Sequence, residues 1–225
     1  MNNLEEFVTP TLETPISELK ESLRCILHTL IFNRAMGGAR PIEPLTIHSP
    51  LFNLAYVKVR DDSGDLDAAV EDRIRAFADA IASSPGSYVL SLSFFTEKAK
   101  ERNLLWQVIS GSTVSKEKLF FEKWRIPVSL LSSRPNSPVA GSPGGPADAA
   151  ATAAPSVKQI LWFLVRKLSE KTEHLPATCA TTVYPFEIAF DKVPRLDLAS
   201  GSASSGTGWS PRSIASSIKS IPYIT

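Results

Sequence analysis

The chain has 225 residues, enough for one ordinary domain and short for two. Its 43% hydrophobic and 21% charged content excludes a wholly disordered chain, and no run of about 18 uninterrupted apolar residues is present to cross a bilayer as a helix. Twenty-four Lys and Arg against 23 Asp and Glu leave a formal charge of +1, without the basic surplus that phosphate-backbone binding needs, so no nucleic-acid partner is expected.

Residues 1–14 show no clear period and read as a flexible tail. Glu5 and Glu6 stand where a secretory signal would carry a basic stretch and an apolar core, so a cytoplasmic chain is expected. Thr14-Pro15 reads as a helix cap followed by proline at the first helical position. Ile16, Leu19, Leu23, Ile26, Leu27, Leu30 and Ile31 then recur at three- and four-residue steps, and Gly37-Gly38 should end that helix. Leu51 to Arg60 is strand-like, and Asp61-Asp62-Ser63-Gly64 carries turn chemistry. A second helix bears Leu66, Ala69, Val70, Arg73, Ile74, Phe77 and Ile81 on one stripe and ends at Ser83-Ser84-Pro85-Gly86.

Tyr88 to Thr96 alternates as a half-buried strand, and Leu119 to Leu131 is another, with Pro127 pointing to an edge or a bulge. From Ser132 to Ser156, 20 of 25 residues are Ser, Pro, Ala or Gly, too few apolar groups to offset the entropy of ordering, so residues 132–156 read as a disordered insertion. A third helix follows with Val157, Ile160, Leu161, Leu164, Val165 and Leu168 on its stripe. Tyr184 to Phe190 is the last clear strand, residues 191–208 read as a flexible linker, and Ser210-Pro211 precedes a short amphipathic stretch with Ile214, Ile218 and Ile221. This order predicts an α+β domain over residues 15–225, an antiparallel-rich sheet packed with about three helices and interrupted by the two flexible segments.

Catalytic chemistry is not legible. Of the three histidines, His28 lies within the first helix and reads as a core or boundary residue, His48 falls in a proline-flanked loop, and His174 sits near a helix end where a cation suits the dipole. No nucleophile elbow and no glycine-rich phosphate loop occurs. Cys25 and His28 share a helical face, yet two ligands make no zinc site, and with only Cys179 besides there is no disulfide framework. The Asp61, Asp62, Asp65 and Asp67 run lacks calcium-loop spacing and reads as a turn plus helix N-cap. No cofactor and no enzyme activity is expected. Ser-Pro pairs at Ser49, Ser84, Ser137, Ser142 and Ser210 read first as turn and linker chemistry, with phosphorylation of Ser137 or Ser142 the alternative.

One segment does not fit a bland core. Glu97 to Lys118 separates two strands, far longer than an ordinary strand connection, and centres on Leu104-Leu105-Trp106-Gln107-Val108-Ile109 between charged flanks. Trp106 reads either as an exposed anchor or as a side chain folded back into the core.

The blocks in this order resemble the autophagy-related protein 101 family, a single HORMA domain. The carrying residues are Leu23 to Arg34 (LRCILHTLIFNR), Leu54 to Val59 (LAYVKV), Leu92 to Phe95 (LSFF), the Trp106 loop leading to Phe121-Glu122-Lys123-Trp124, and Glu173 to Pro176 (EHLP) before YPFEIAF. The resemblance implies a non-enzymatic scaffold of the autophagy-initiating kinase complex, cytoplasmic and at the preautophagosomal structure. It implies a heterodimer with the HORMA domain of autophagy-related protein 13, with the partner-binding surface around Phe32, Asn33, Leu175 and Pro176. It also implies a recruitment finger for downstream factors on Trp106. The finger's Phe does not carry over, since Val108 stands at that position with Ile109 beside it. Membrane contact would then be indirect or weak. Two alternatives remain on the residues: a peripheral membrane protein inserting Trp106, Val108 and Ile109, and a HORMA-type adaptor that clamps a peptide with its C-terminal segment.

Overall fold

A computed structural model describes residues 4–35, 42–84, 86–99, 116–131, 152–176 and 183–193. It is an α+β fold built on one hairpin. Strands β5 (Ser87–Ala99) and β6 (Lys116–Leu130) pair antiparallel from Tyr88–Val128 to Ala99–Lys116. Strand β7 (Phe186–Val193) lies antiparallel on the other side of β5. The period-two pattern explains which face is covered. Tyr88, Leu90, Leu92 and Phe94 on β5 are buried, as are Trp124, Ile126 and Val128 on β6. The register slips between Phe94, opposite Glu122, and Phe95, opposite Phe120, so Phe121 is the extra residue of a bulge and joins the core instead of alternating out of it.

The first correction concerns the N-terminus, which is not a flexible tail from Leu4 onward. Strand β1 (Glu5–Val8) and strand β2 (Leu12–Thr14) run parallel to β6, with Phe7 opposite Trp124 and Leu12 opposite Val128. Phe7 and Leu12 are buried, and that burial holds strands too short to persist alone. The order is therefore β1 and β2 on successive stretches of β6, then β5, then β7. Pro127 accordingly sits in an interior strand, not at an edge. Arg125 turns its carbonyl to the β1 side, where Thr9 N–H donates to it at 3.0 Å. By alternation the Pro127 nitrogen faces the same side, opposite the break between β1 and β2, where no ladder bond is lost.

Thr14 belongs to β2, so it does not cap the first helix; its hydroxyl donates to the Pro15 carbonyl at 3.0 Å. A turn closed by Glu18 N–H on Pro15 O follows, and helix α1 spans Leu19–Ala35, leaving Ile16 exposed. Leu19, Leu23, Ile26, Leu27, Leu30 and Ile31 are almost wholly buried, each contributing roughly 1.5–3 kcal/mol by burial. Gly37-Gly38 lies outside the described residues.

Strand β3 (Pro44–His48) and strand β4 (Ala55–Val59) form a separate antiparallel hairpin, with β4 against α1. His48 thus ends a strand and is not in a loop, and the strand expected over residues 51–60 is confined to Ala55–Val59 while Phe52 turns into the core. Asp61 then caps helix α2 (Asp65–Ser83), accepting Leu66 N–H at 2.6 Å across Gly64, whose φ of 75° suits glycine. Val70, Ile74, Phe77 and Ile81 form its buried stripe, whereas Arg73 points outward.

Helix α3 spans Ala154–Glu170, so the segment read as a disordered insertion ends earlier than residue 156. Ala153 is buried, its N–H bonded to Glu18 Oε2 at 2.7 Å, and Ser156 Oγ donates to Glu13 O at 2.8 Å. Val157, Ile160, Leu164 and Leu168 face the core, while Val165 is exposed. At the other end, Asp191 to Val193 continue β7 opposite Val89 to Ser87, so the linker expected from residue 191 does not begin there. The remainder of the two segments read from the sequence as a disordered insertion and a flexible linker, and the stretch from Ser210, lie outside the described residues.

Candidate functional site

Strand β6 places one carboxylate where the pleat calls for an apolar group. Glu122 lies two residues before Trp124 on the inward face and is wholly buried. Burying a carboxylate is costly unless its oxygens are paired. Here both oxygens are taken. Arg34 Nε, at the end of α1, donates to them at 2.8 and 2.9 Å; His174 Nε2 stands 2.5 Å from Oε2; and the Trp124 indole N–H donates to Oε1. The Arg34 side chain is only 2% exposed. Its remaining nitrogens reach the Leu168 and Lys171 carbonyls at 3.4 Å, the C-terminal end of α3. Phe7 stacks on Trp124 with centroids 4.4 Å apart and stands 6.0 Å from the His174 ring.

That network joins β1, α1, β6, the end of α3 and the turn after it. The turn is fixed from two further directions. Leu175 N–H donates to Thr172 O at 3.1 Å, and Tyr184 Oη donates to Pro176 O at 2.7 Å. Leu175 and Pro176 are half-buried, as are Phe32 and Asn33 on α1. Asn33 spends its side-chain N–H on Thr29 O at 2.7 Å within the helix. The two stretches singled out in the sequence are therefore tied to one carboxylate, through Arg34 from one and His174 from the other. His174 serves as a Glu122 partner in that turn, a role different from the helix-end cation expected for it. Sequence reasoning passed over Arg34 and Glu122. The available signal was parity: Glu122 shares its face with Trp124, Ile126 and Val128.

A second polar group lies along α1 where it meets β4 and α2. His28 is buried and stacks on Tyr56 with centroids 6.1 Å apart. Desolvation holds its imidazole below its ordinary pKa, a pull that Asp67 opposes and Lys58 reinforces. The Cys25 thiol is fully buried and pushed up to about 12, first by desolvation and then by Glu21, so it is not a reactive thiolate. Arg24 bridges Glu21 at 3.2 Å and Glu71 at 2.5 Å, and Lys58 pairs with Asp67. Glu21 Oε1, His28 Nδ1 and Asp67 Oδ1 are nonetheless buried without a hydrogen-bond partner. Among the described residues no three His, Cys, Asp or Glu side chains stand together to hold a metal.

Trp106, Val108 and Ile109 lie outside the described residues. What the structure adds is that the described charged residues flanking their segment, Glu97, Lys98 and Lys116 to Lys118, are strand. Glu97 and Lys118 are opposed in the ladder, and Lys116 Nζ meets Glu97 Oε2 at 2.7 Å. Strand is thus described to Ala99 and again from Lys116 within the stretch Glu97 to Lys118, and residues 100–115 lie outside the described residues. No described helix is long and apolar enough to cross a membrane.

Two comparisons with known proteins bear on this arrangement. The family model described as autophagy-related protein 101 matches residues 11–182. The chain is also 27% identical over 201 residues to autophagy-related protein 101 of Arabidopsis thaliana, an alignment covering 83% of this chain and 86% of that protein.

Proposed function

Because the chain belongs to the autophagy-related protein 101 family, we propose that it is a non-enzymatic HORMA-domain scaffold of the autophagy-initiating kinase complex. On this reading it binds and stabilises the HORMA domain of autophagy-related protein 13 as a heterodimer, in the cytoplasm and at the preautophagosomal structure. The contact surface is formed by Phe32 and Asn33 with Leu175 and Pro176. The loop bearing Trp106, Val108 and Ile109 recruits downstream factors, with Val108 and Ile109 supplying apolar surface where the finger's Phe does not carry over.

The observation that supports this reading is the Glu122 network. A docking surface made of one helix end and one turn needs both held in a fixed relation before the partner arrives, since ordering them on contact would cost affinity. Arg34 and His174 clamp the two stretches to a single buried carboxylate, leaving their apolar side chains half-buried. Such a surface needs no catalytic group.

Co-expression with the partner HORMA domain tests it. Phe32→Asp should abolish co-purification while the isolated variant still melts cooperatively, and Trp106→Ala should leave co-purification intact. Retained binding by Phe32→Asp removes the assigned surface. Unfolding of Trp106→Ala removes the finger reading and makes that loop part of the core.

A further inference from the structure

Helix α3 turns a second, separate surface outward. Trp162 is 77% exposed, the most exposed of the described large hydrophobic side chains, and Val165, one turn along the same face, is 54% exposed. Lys158 and Arg166 lie four residues before and after Trp162, so a helix places them above and below the indole on one stripe. Both are exposed. The stripe reads cation, tryptophan, cation, over about 12 Å of helix axis. The opposite face cannot rotate out to widen it, because Val157, Ile160, Leu164 and Leu168 are packed in the core.

We propose that this stripe docks an acidic, apolar-centred segment of another protein. Its apolar centre would cover the indole, and two carboxylates about 12 Å apart would pair with Lys158 and Arg166. Arg166 already holds Glu170 through Nε at 2.9 Å, and a guanidinium has donors left for a second carboxylate. The long segments outside the described residues supply little complementary charge. Residues 100–115 contain one acidic residue, Glu101, residues 132–151 only Asp148, and residues 194–225 only Asp197. Three of the five acidic residues of α2, Asp67, Glu71 and Asp72, are committed to Lys58, Arg24 and Arg75. The other two, Asp65 and Asp79, stand 14 residues apart, about 21 Å along the helix rather than about 12 Å, which disfavours a second copy as the occupant. A lipid surface is disfavoured by the narrowness of the apolar stripe, two side chains wide, against the broad face of an interfacial helix.

Panning a random 16-residue phage-displayed library on the full chain tests this, with Lys158→Glu/Arg166→Glu protein as counter-selection. Enriched peptides should carry acidic residues on both sides of an apolar centre. Trp162→Ala should weaken them at least tenfold in fluorescence anisotropy while leaving the melting transition unchanged. The doubly charge-reversed protein should lose the acidic peptides and gain their lysine-substituted versions. Phe32→Asp protein should bind them normally, which separates this surface from the one proposed above. Each of four results overturns the proposal: enriched peptides without acidic residues, binding indifferent to Trp162, Trp162-dependent flotation with phosphatidylserine vesicles, or Trp162-dependent self-association in sedimentation.

Discussion

Helix α1 carries polar clusters at two places, and they are built on opposite terms. At its C-terminal end every hydrogen-bonding atom of Glu122 is matched, by a guanidinium, an imidazole and an indole. Midway along it, His28, Glu21 and Asp67 each leave a buried atom unmatched, although Arg24 and Lys58 stand close by. The first arrangement pins β1, α1, β6 and the end of α3 with its turn in one geometry. The second leaves buried polar atoms unmatched, and its desolvated His28 is the group that responds to protons. The proposed partner surface sits at the matched end.

The comparison can be broken at its strongest point first. Arg34→Met should strand a buried carboxylate and destabilise the fold by about 3–5 kcal/mol in urea denaturation. Adding Glu122→Leu to Arg34→Met should recover part of that loss, because the stranded charge is gone. If the single variant costs no more than about 1 kcal/mol, the network is not a clamp.

The next effect is smaller and depends on pH. His28 has a folded pKa below its unfolded value near 6.5, so the unfolded chain takes up its proton first as pH falls. Stability is therefore fully present above pH 6.5 and lost below it, down to the folded pKa, at no more than about 1.4 kcal/mol per pH unit. His28→Leu should flatten the urea-midpoint curve between pH 7 and 5. An unchanged slope in that variant would place the acid sensitivity elsewhere.

Arg24→Met should have the smallest effect. Arg24 and Glu71 are each about one-third exposed, and solvent screening limits the pair to about 1 kcal/mol or less. A loss as large as that of Arg34→Met would erase the contrast between the two ends.

The legible parts of the fold were those whose pattern is local. Helix α2 and the core stripe of α3 follow from three- and four-residue spacing, and the β5–β6 hairpin from alternation in YVLSLSFFT and its partner. The N-terminal strands escaped because nothing within four or three residues reveals a parallel partner so far along the chain. Thr14-Pro15 misled because cap chemistry and strand-end chemistry use the same residue types. Ala153 to Ser156 read as part of the disordered insertion because alanine and a first-turn proline suit both low-complexity sequence and a helix start. For the site, the resemblance singled out Phe32, Asn33, Leu175 and Pro176 but gave no reason for their being held together. That reason is Glu122, a charged residue at an inward position of a strand, and period-two reading alone would have flagged it.

The parallel pairing of β1 with β6 sets an order in time as well as in space. Glu5 is translated more than a hundred residues before its partner Glu122. At synthesis rates of about 5–20 residues per second, β1 and β2 wait on the order of ten seconds without a ladder to join. β1 and β2 are thus synthesised well before the strand that locks them, and Phe7 and Leu12 remain open to a chaperone until β6 arrives.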